Sequence, residues 1–348
     1  MKRTWTKLSI LIGLALLLPL AGTAWAANCT PGVGLGCSCG DTVTASGTLT
    51  AALDPVVSTD PFVFCTTATG LTVDAGVTLD LGGETIRGDH SGTGVKINGD
   101  GATVTNGTIR GFNIGLSTAK DGGIISKIKA FRNKTDGIKV TGDGNLLLQN
   151  RAEENGIGGN GDGMSIAGDG NTLESNKASR NTGIGINVTG DGHTLDKNTA
   201  EENSKDGIKV AGGTTLSPNT LTSNKAFNNR DNGINVTGDG NTLNKNTANE
   251  NFGSGIILGS GAESNTLEGN KADKNSVDGV LVSGKKNSLK KNSAKQNDGE
   301  GVFAKFQAVL ADKNIDTGGN KGTDNGGVDD DGLAGEVDCE IDAVACLP

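Results

Sequence analysis

The chain has 348 residues, of which 57 are glycine, and its 40 acidic residues outnumber its 31 basic ones to give a net charge of −9. Such acidity argues against nucleic acid and anionic membranes as partners, because both carry negative charge themselves. It also disfavours acidic polysaccharides as ligands unless a cation bridges the two partners. Tyrosine is absent, which removes one of the aromatic side chains that commonly stack on sugars.

The first 26 residues have the pattern of a secretory signal peptide. Three basic residues precede an apolar run from Leu8 to Leu20, and Ala24-Trp25-Ala26 fits a small-x-small cleavage site. The apolar run is too short to span a membrane comfortably. We therefore expect a secreted or periplasmic protein that does not insert into a membrane after cleavage. Cleavage would remove both tryptophans and leave 28 basic against 40 acidic residues, a net charge of −12.

Six cysteines lie near the two ends of the chain, outside its repeats. An even number of cysteines in an exported protein indicates disulfide bonds that staple the ends. Metal binding is the alternative, although neither end has paired C-x-x-C spacing. Of the 15 pairings that six cysteines allow, those we predict are Cys29–Cys37, Cys39–Cys65 and Cys339–Cys346.

Residues 27–70 are rich in threonine, glycine and proline, and we expect an N-terminal cap with a few strands there. Apolar and polar residues then alternate over residues 72–87, a pattern typical of β-strands. The regular part extends over residues 71–306, and residues 307–348 form a Gly- and Asp-rich tail or a second cap. No linker interrupts the regular part, so we predict one elongated domain and a monomer.

Between residues 136 and 303 the chain repeats one unit about seven times, and the unit reads D-G-I-x-V-x-G-D-G-N-T-L-x-x-N-x-A-x-x-N. In each copy two apolar residues flank an outward position, as Ile138 and Val140 flank Lys139. This period-two alternation, together with a leucine row and an alanine row, predicts three short strands per coil of a β-solenoid, with coils ~4.8 Å apart. The anchoring glycines are Gly94, Gly115, Gly137, Gly163, Gly185, Gly207, Gly233, Gly255, Gly279 and Gly301.

Two rows of asparagine accompany the repeat, and the second row always lies five residues after the first. Asparagine tolerates left-handed backbone geometry, and its side-chain amide can bond to the same residue one coil away. The rows therefore predict two corner ladders, and a polar binding stripe is the alternative. The first row is Asn150, Asn176, Asn198, Asn224, Asn246, Asn270 and Asn292, and the second is Asn155, Asn181, Asn203, Asn229, Asn251, Asn275 and Asn297.

These coils resemble the parallel β-helix repeats of the pectate-lyase-like superfamily. That superfamily includes polysaccharide lyases, mannuronan epimerases and the periplasmic maturation protein of nitrous oxide reductase. The resemblance covers roughly residues 71–306 and implies right-handed crossovers. It implies an all-β fold, a right-handed single-stranded parallel β-helix of about 10–12 coils with disulfide-stapled ends.

The resemblance does not supply a catalytic site. The mannuronan epimerases use a Y-G-x-D-P-H motif, and this chain has no tyrosine. The polygalacturonase segments N-T-D, D-D, G-H-G and R-I-K do not occur together here. Pectate lyases use an arginine base beside calcium-binding aspartates, but Arg151, Arg180 and Arg230 have no recognisable context of that kind. The sequence therefore leaves open whether the chain is an enzyme.

Three aspartates, Asp143, Asp169 and Asp191, lie in the G-D-G turns of successive coils. Their carboxylates would be only ~5 Å apart, and Ca²⁺ is a hard cation that prefers oxygen ligands. Calcium is therefore a candidate cofactor, although the fuller ligand loop of calcium sites is missing. The alternative is that Asp-Gly suits a left-handed turn without any ligand.

Acidic and basic residues line the face formed by the first strand of each coil. Asp136, Asp162 and Asp206 come directly before anchoring glycines, while Lys139 and Lys209 point outward between the two apolar rows. These five are the predicted substrate-binding residues, because related solenoids lay a sugar chain on such a face. Asp136 and Asp162 are one coil apart, which suits a retaining pair of carboxylates. The alternative is a solvated charged face with no role in binding.

The chain contains two histidines. His193 occupies the position that Asn171 and Asn241 hold in other coils, which indicates a tolerated substitution at a turn. His90 lies beside Asp89, and a His–Asp pair can act as a general base. No activated nucleophile is recognisable near this pair, so we predict no catalytic role for either histidine.

Two functions remain open. The first is an exported β-helix protein that binds or processes a polysaccharide at the cell surface or outside the cell. The second is a non-enzymatic structural or surface-interaction solenoid whose rigid polar faces act as a spacer or docking wall. Internal regularity favours the second function, because active sites usually break the local rules that these coils obey.

Overall fold

The computed structural model describes residues 28–29, 37–49, 65, 69–304, 314–316 and 318–326. The predicted signal peptide, Cys339, Cys346 and most of the predicted tail lie outside these residues. The described part of the chain contains 34 β-strands and no helix, which confirms the all-β prediction. It therefore offers no apolar helix long enough to cross a membrane.

One sheet, sheet A, takes a single strand from each coil. All of its pairings are parallel and in register, so that Ile138 pairs with Met164, and Met164 pairs with Ile186. Its strands are β1 (Asn28–Cys29), β2 (Asp41–Val43), β4 (Thr69–Val73), β7 (Thr93–Ile97), β9 (Ile114–Thr118), β11 (Ile138–Val140), β14 (Met164–Ile166), β17 (Ile186–Thr189), β20 (Ile208–Ala211), β23 (Ile234–Val236), β26 (Ile256–Leu258), β29 (Val280–Val282) and β32 (Val302–Ala304).

The second sheet, sheet B, consists of two parallel ladders that share the long strands β8 (Thr103–Arg110) and β10 (Ile124–Phe131). The leucine ladder adds β3 (Gly47–Thr48), β5 (Thr78–Asp80), β12 (Leu146–Leu148), β15 (Thr172–Glu174), β18 (Thr194–Asp196), β21 (Thr220–Thr222), β24 (Thr242–Asn244), β27 (Thr266–Glu268), β30 (Ser288–Lys290) and β33 (Ile315–Asp316). The alanine ladder adds β6 (Thr85–Arg87), β13 (Arg151–Glu153), β16 (Lys177–Ser179), β19 (Thr199–Glu201), β22 (Lys225–Phe227), β25 (Thr247–Asn249), β28 (Lys271–Asp273), β31 (Ser293–Lys295) and β34 (Lys321–Thr323).

Sheet A and the two ladders of sheet B wind into a right-handed parallel β-helix of about 11 turns, as predicted. The interior is narrow because each coil contributes only short strands with one or two inward residues. Ile186, Val188, Leu195 and Ala200 represent the four inward rows, and all four are fully buried. Burial of each large aliphatic side chain contributes roughly 1.5–3 kcal/mol, so stability accumulates coil by coil.

The two predicted asparagine rows form buried corner ladders. The side-chain Oδ1 of Asn176 accepts from the backbone N of Asn150 at 2.9 Å and from its Nδ2 at 3.0 Å. The Nδ2 of Asn176 donates to the carbonyl of Leu147 at 2.8 Å and to Oδ1 of Asn198 at 3.0 Å. Each amide thus satisfies backbone groups that a buried turn would otherwise leave without partners.

The structure adds a third ladder that the sequence analysis did not identify. His193 belongs to it: its Nδ1 accepts from the backbone N of Asn171 at 3.1 Å, and its own backbone N donates to Asn219 at 2.7 Å. The imidazole therefore replaces a ladder amide, in agreement with the predicted substitution at a turn. The members are Asn145, Asn171, His193, Asn219, Asn241, Asn265, Asn287 and Asn314.

Left-handed backbone occurs one residue before the ladder asparagines rather than at them. Gln149 has a φ of 56° and Lys197 a φ of 54°, while Asn150 and Asn198 have no positive φ. The asparagines are thus held by their amide bonds, and the conformational cost of the corner falls on the preceding, more exposed residue.

Two of the three predicted disulfides lie within the described residues, and both are confirmed. Cys29 bonds to Cys37 with a Cα–Cα distance of 5.2 Å, and Cys39 bonds to Cys65 with 5.6 Å. They cross-link the segments around β1 and β2, and these two strands extend sheet A in parallel beyond β4. The edge of the first regular coil is thereby covered rather than left open for pairing with another chain.

Candidate functional site

The outer face of sheet A carries the predicted substrate-binding lysines. Lys139 and Lys209 lie in one outward row, separated by Ser165 and Asn187, with equivalent residues paired in register from coil to coil. The row changes character along the molecule. It reads Lys96, Ser117, Lys139, Ser165, Asn187, Lys209, Asn235, Ile257, Leu281 and Phe303.

The predicted aspartates of this face hold neighbouring coils together. Oδ1 of Asp136 accepts from the backbone N of Asp162 at 3.0 Å, and Oδ1 of Asp162 accepts from that of Ile184 at 2.8 Å. Oδ1 of Asp206 accepts from the backbone N of Asn232 at 3.1 Å. One carboxylate oxygen of each residue is therefore committed to the turn that precedes the next strand.

The second oxygen of two of these aspartates turns toward the outward row. Oδ2 of Asp162 accepts from Nδ2 of Asn187, and Oδ2 of Asp206 accepts from Nδ2 of Asn235, both at 2.9 Å. Burial raises the pKa of Asp206, and the bonds from Asn235 and Asn232 partly oppose that rise. Burial likewise raises the pKa of Asp136, against the bond from Asp162. The carboxylates and amides form a polar seam beside the lysines, in which Ile184 takes the aspartate position between Asp162 and Asp206.

A shallow cavity lies on the same face at its N-terminal end, with a volume of about 370 Å³. Lys139 lines it together with Lys96, Lys120, Asn98 and Ser117. Three lysines around one hollow make this part of an acidic protein locally positive. The structure thus places Lys139 in a cavity, while Lys209 lies three strands further along the row.

The predicted calcium ligands form a longer ladder of aspartates. Oδ1 of Asp143 accepts from the backbone N of Asp169 at 2.8 Å, and Oδ1 of Asp169 accepts from that of Asp191 at 2.9 Å. Asp100 and Asp121 extend this pattern toward the N-terminus. Within the described residues, no group of three His, Cys, Asp or Glu side chains is placed to share a metal ion. The geometry supports a turn role, and calcium binding remains a prediction.

A second cavity, also of about 370 Å³, lies on the outer face of the alanine ladder near its start. Sequence reasoning missed it, since it arises where coils without a visible repeat stack on one another. We call it the arginine cavity and define it by its lining. The lining residues are Arg87, Gly88, Asp89, His90, Arg110, Gly111, Phe131 and Arg132.

Two family models match parts of the chain. One is described as a right handed beta helix region and matches residues 184–331, and the other is described as a periplasmic copper-binding protein (NosD) and matches residues 78–227. No curated protein matches the chain. Each model covers less than half of the sequence, so the matches support the fold rather than an activity.

Solved structures show the same architecture. The Dettilon tailspike protein gp208 superposes with a TM-score of 0.56 at 16% identity, over 85% of this chain and 62% of the tailspike. The periplasmic alginate epimerase AlgG superposes with a TM-score of 0.52 at 12% identity, over 81% of this chain and 84% of the epimerase. This chain thus spans less than two thirds of the tailspike, and at these identities the likeness shows the fold alone.

The copper named in the second family description does not fit the described residues. Copper prefers imidazole, thiolate and thioether ligands. Here the cysteines at 29, 37, 39 and 65 are disulfide-bonded, Met164 is fully buried, and His193 is held in its ladder. His90 is the remaining histidine, and no cluster of metal-ligating side chains surrounds it in the described part of the chain.

Proposed function

We propose that this right-handed parallel β-helix protein of the pectate-lyase-like superfamily is exported and binds a polysaccharide along the outer face of sheet A. The observation that carries the proposal is the unbroken row of polar side chains on that face, from Lys96 to Asn235. The row repeats its hydrogen-bonding groups every ~4.8 Å. A polymer of hydroxyl-bearing rings is the kind of ligand that can use such a repeated set of contacts.

Binding without cleavage fits the face better than glycoside hydrolysis. A retaining mechanism needs one carboxyl group as acid and a second as nucleophile about 5–5.5 Å away. Asp136 and Asp162 are the predicted pair, yet Oδ1 of each already accepts a backbone N–H of the next coil. Asp162 uses its other oxygen for Asn187. A nucleophile tied down by two hydrogen bonds is poorly placed to attack a sugar carbon.

Export and a carbohydrate partner have independent support. The signal-like first 26 residues and the disulfides both suit an oxidising compartment outside the cytoplasm. The epimerase that shares the fold is named as a periplasmic alginate enzyme. The lysine-lined cavity and the asparagine-rich seam add hydrogen-bond donors on the face where the ligand would lie.

The test is binding of the mature protein to an array of uronate and neutral glycans, with and without calcium. For a glycan that binds along sheet A, the double variant Lys139→Ser/Lys209→Ser should weaken affinity at least tenfold. Lys225→Ser is the matched control, because Lys225 is an exposed, outward lysine on sheet B. No unsaturated or shortened product should form. Product formation would contradict the non-catalytic reading.

The second candidate function, a structural solenoid without a glycan partner, is favoured by one observation. The central coils keep the same inward rows and amide ladders from one end to the other, with little local departure. If no glycan on the array binds and none shifts the melting temperature, the polysaccharide proposal falls and the structural function stands.

A further inference from the structure

We propose that the arginine cavity is a binding site for an oxyanion, such as the carboxylate or sulfate group of a sugar. The cavity lies on sheet B, whereas the polysaccharide face proposed above lies on sheet A. Each proposal can therefore be tested and rejected without affecting the other. The argument rests on the placement of three arginines, on an unpartnered buried nitrogen, and on the size of the hollow.

Register brings the arginines together. Arg87 in β6 pairs with Arg110 in β8, and Arg110 pairs with Phe131 in β10, so their side chains leave the same face on adjacent strands. Adjacent strands are ~4.8 Å apart, so the side chains of Arg87 and Arg110 start from neighbouring positions on the outer face. Arg132 follows Phe131 in the chain and also lines the cavity. An anion in the cavity would have guanidinium donors from more than one strand.

Further along the same row, Glu153 is paired with basic residues of the neighbouring outward row. In the next coils Glu153 lies 3.3 Å from Nζ of Lys129 and 2.6 Å from Nη2 of Arg151. Arg110 has no such acidic partner in the described part of the chain. Its Nε is buried and makes no hydrogen bond, a state shared by only two other buried side-chain atoms there, Ser179 Oγ and Asp273 Oδ1. A buried guanidinium nitrogen without an acceptor is costly, and a bound oxyanion would supply that acceptor.

Two acidic residues lie near the cavity. Asp89 lines it, and its Oδ1 accepts from the hydroxyl of Ser91 at 2.5 Å and from its backbone N at 3.1 Å, which orients the carboxylate without neutralising its charge. Glu154 accepts from Nε of Arg132 at 2.8 Å. Arg132 is therefore partly neutralised, whereas Arg110 brings an unneutralised positive charge to the hollow.

The walls of the cavity are rigid. A Cβ added at Gly88 would lie 2.5 Å from the ring of the fully buried Phe112, which shows how closely the backbone packs there. His90 holds a left-handed φ of 71°, uncommon for a residue with a side chain, and its backbone N bonds to the carbonyl of Gly111 at 2.5 Å. Preorganised walls reduce the entropy that binding must overcome.

The dimensions and chemistry define the ligand class. A volume of about 370 Å³ is at the lower end of small-ligand pockets, enough for one charged sugar ring. The planar fork of arginine matches the two oxygens of a carboxylate or sulfate. The ring of Phe131, with Nζ of Lys129 and Cζ of Arg132 each 4.9 Å from its centroid, supplies an apolar floor beside the charges.

The experiment is calorimetric titration of the mature protein with four probes: trigalacturonate, a dextran sulfate oligomer, inorganic phosphate and a neutral dextran oligomer. We expect at least one anionic probe to bind and the neutral oligomer not to bind at this cavity. Binding of the sugar anions alone identifies a glycan-borne group. Binding of phosphate with equal affinity identifies a free anion. Failure of all three anionic probes overturns the proposal.

The decisive variant is Arg110→Gln, with Arg230→Gln as the matched control. Arg230 is exposed and lies outside the cavity, so its replacement removes the same charge elsewhere. Arg110→Gln should weaken binding of the anionic probe at least tenfold while its melting temperature stays equal or rises, because a buried guanidinium nitrogen without an acceptor is lost. Equal affinity of Arg110→Gln and wild type overturns the proposal. The Lys139→Ser/Lys209→Ser variant should bind the probe normally at this cavity.

Discussion

The central coils and the N-terminal coils differ in how fully their buried polar groups are hydrogen-bonded. From Asn133 onward, three ladders, made of asparagine amides and the His193 imidazole, hydrogen-bond neighbouring coils to one another. Earlier in the chain, Ile128 and Phe112 occupy the corresponding positions, and each only donates its backbone N to the first asparagine of a ladder. There the arginine cavity opens and Arg110 Nε has no partner. Saturated coils give rigidity, whereas the irregular coils leave groups available to a ligand.

The largest expected effect comes from breaking a ladder in the central coils. Asn198→Leu removes the acceptor of Asn176 N and the donor to the carbonyl of Leu173. Each buried group left without a partner costs about 1–3 kcal/mol, so we expect a loss of about 3 kcal/mol or more in unfolding free energy. Urea denaturation measures it. Asn244→Ala, on the outer side of β24, should change stability by less than about 0.5 kcal/mol. Similar losses in both variants would contradict the ladder's role.

A smaller loss should follow from filling the space between coils. A Cβ at Gly185 would lie 2.6 Å from both Asn203 Nδ2 and the carbonyl oxygen of Gly207. Gly185→Ala must therefore displace backbone, at a cost of about 1–3 kcal/mol. At Gly261 an added Cβ meets nothing within 4 Å. Thermal melting of Gly185→Ala and Gly261→Ala should separate the two glycines, and equal melting temperatures would show that the coils yield more easily than the structure implies.

The polar seam of sheet A contains the buried Asp206, which predicts that the free energy of unfolding depends on pH. Burial raises the pKa of Asp206 above its value in the unfolded chain, so ionisation is more costly in the folded state. Stability from this residue is complete at acidic pH and declines as pH rises through the folded pKa. Asp206→Asn cannot ionise, so its stability relative to wild type should increase between pH 4 and 7, by about 1.4 kcal/mol for each unit of pKa difference.

The matched control is Asp298→Asn, since Asp298 is exposed. Its stability difference from wild type should vary less with pH than that of Asp206→Asn. Urea unfolding at several pH values decides the matter for both variants. A flat profile for Asp206→Asn, or a relative loss as pH rises, would show that the carboxylate is ionised without cost in the fold.

The smallest effect is expected at His193, the one histidine in a third ladder otherwise made of asparagines. His193→Asn restores the amide found in neighbouring coils, and the acceptor for Asn171 N is kept. One neutral hydrogen bond is exchanged for another, so unfolding free energy should change by less than about 1 kcal/mol. A loss of more than about 2 kcal/mol in chemical denaturation would show that the imidazole has a role beyond closing the corner.

The fold could be predicted because each position of the repeat carries the same type of residue in successive coils. The inward rows at Ile186, Val188, Leu195 and Ala200 follow from period-two alternation, and two of the ladders follow from asparagine spacing. The third ladder was missed because His193 interrupts its composition. The two predicted ladders and the missed one can each be derived from the spacing of residues in the repeat.

The arginine cavity could not be predicted in the same way. Arg87, Arg110 and Phe131 belong to coils that carry the anchoring glycines but not the full repeat, so their register was not predicted from the sequence. Net acidity also pointed away from anionic ligands, whereas the structure concentrates positive charge in one hollow. The sheet A lysines were predicted, but the coil-to-coil bonds of Asp136, Asp162 and Asp206 required the structure.

Hydrogen–deuterium exchange with and without trigalacturonate, read by mass spectrometry, tests most directly whether the arginine cavity binds an anion while the ladders provide a rigid frame. Backbone amides at positions 145–297 should be highly protected in both samples, with no change at the asparagine corners. Peptides that span residues 86–113 should gain protection when the probe is present. Equal exchange in those peptides with and without it, or weak protection throughout the central coils, would contradict the account.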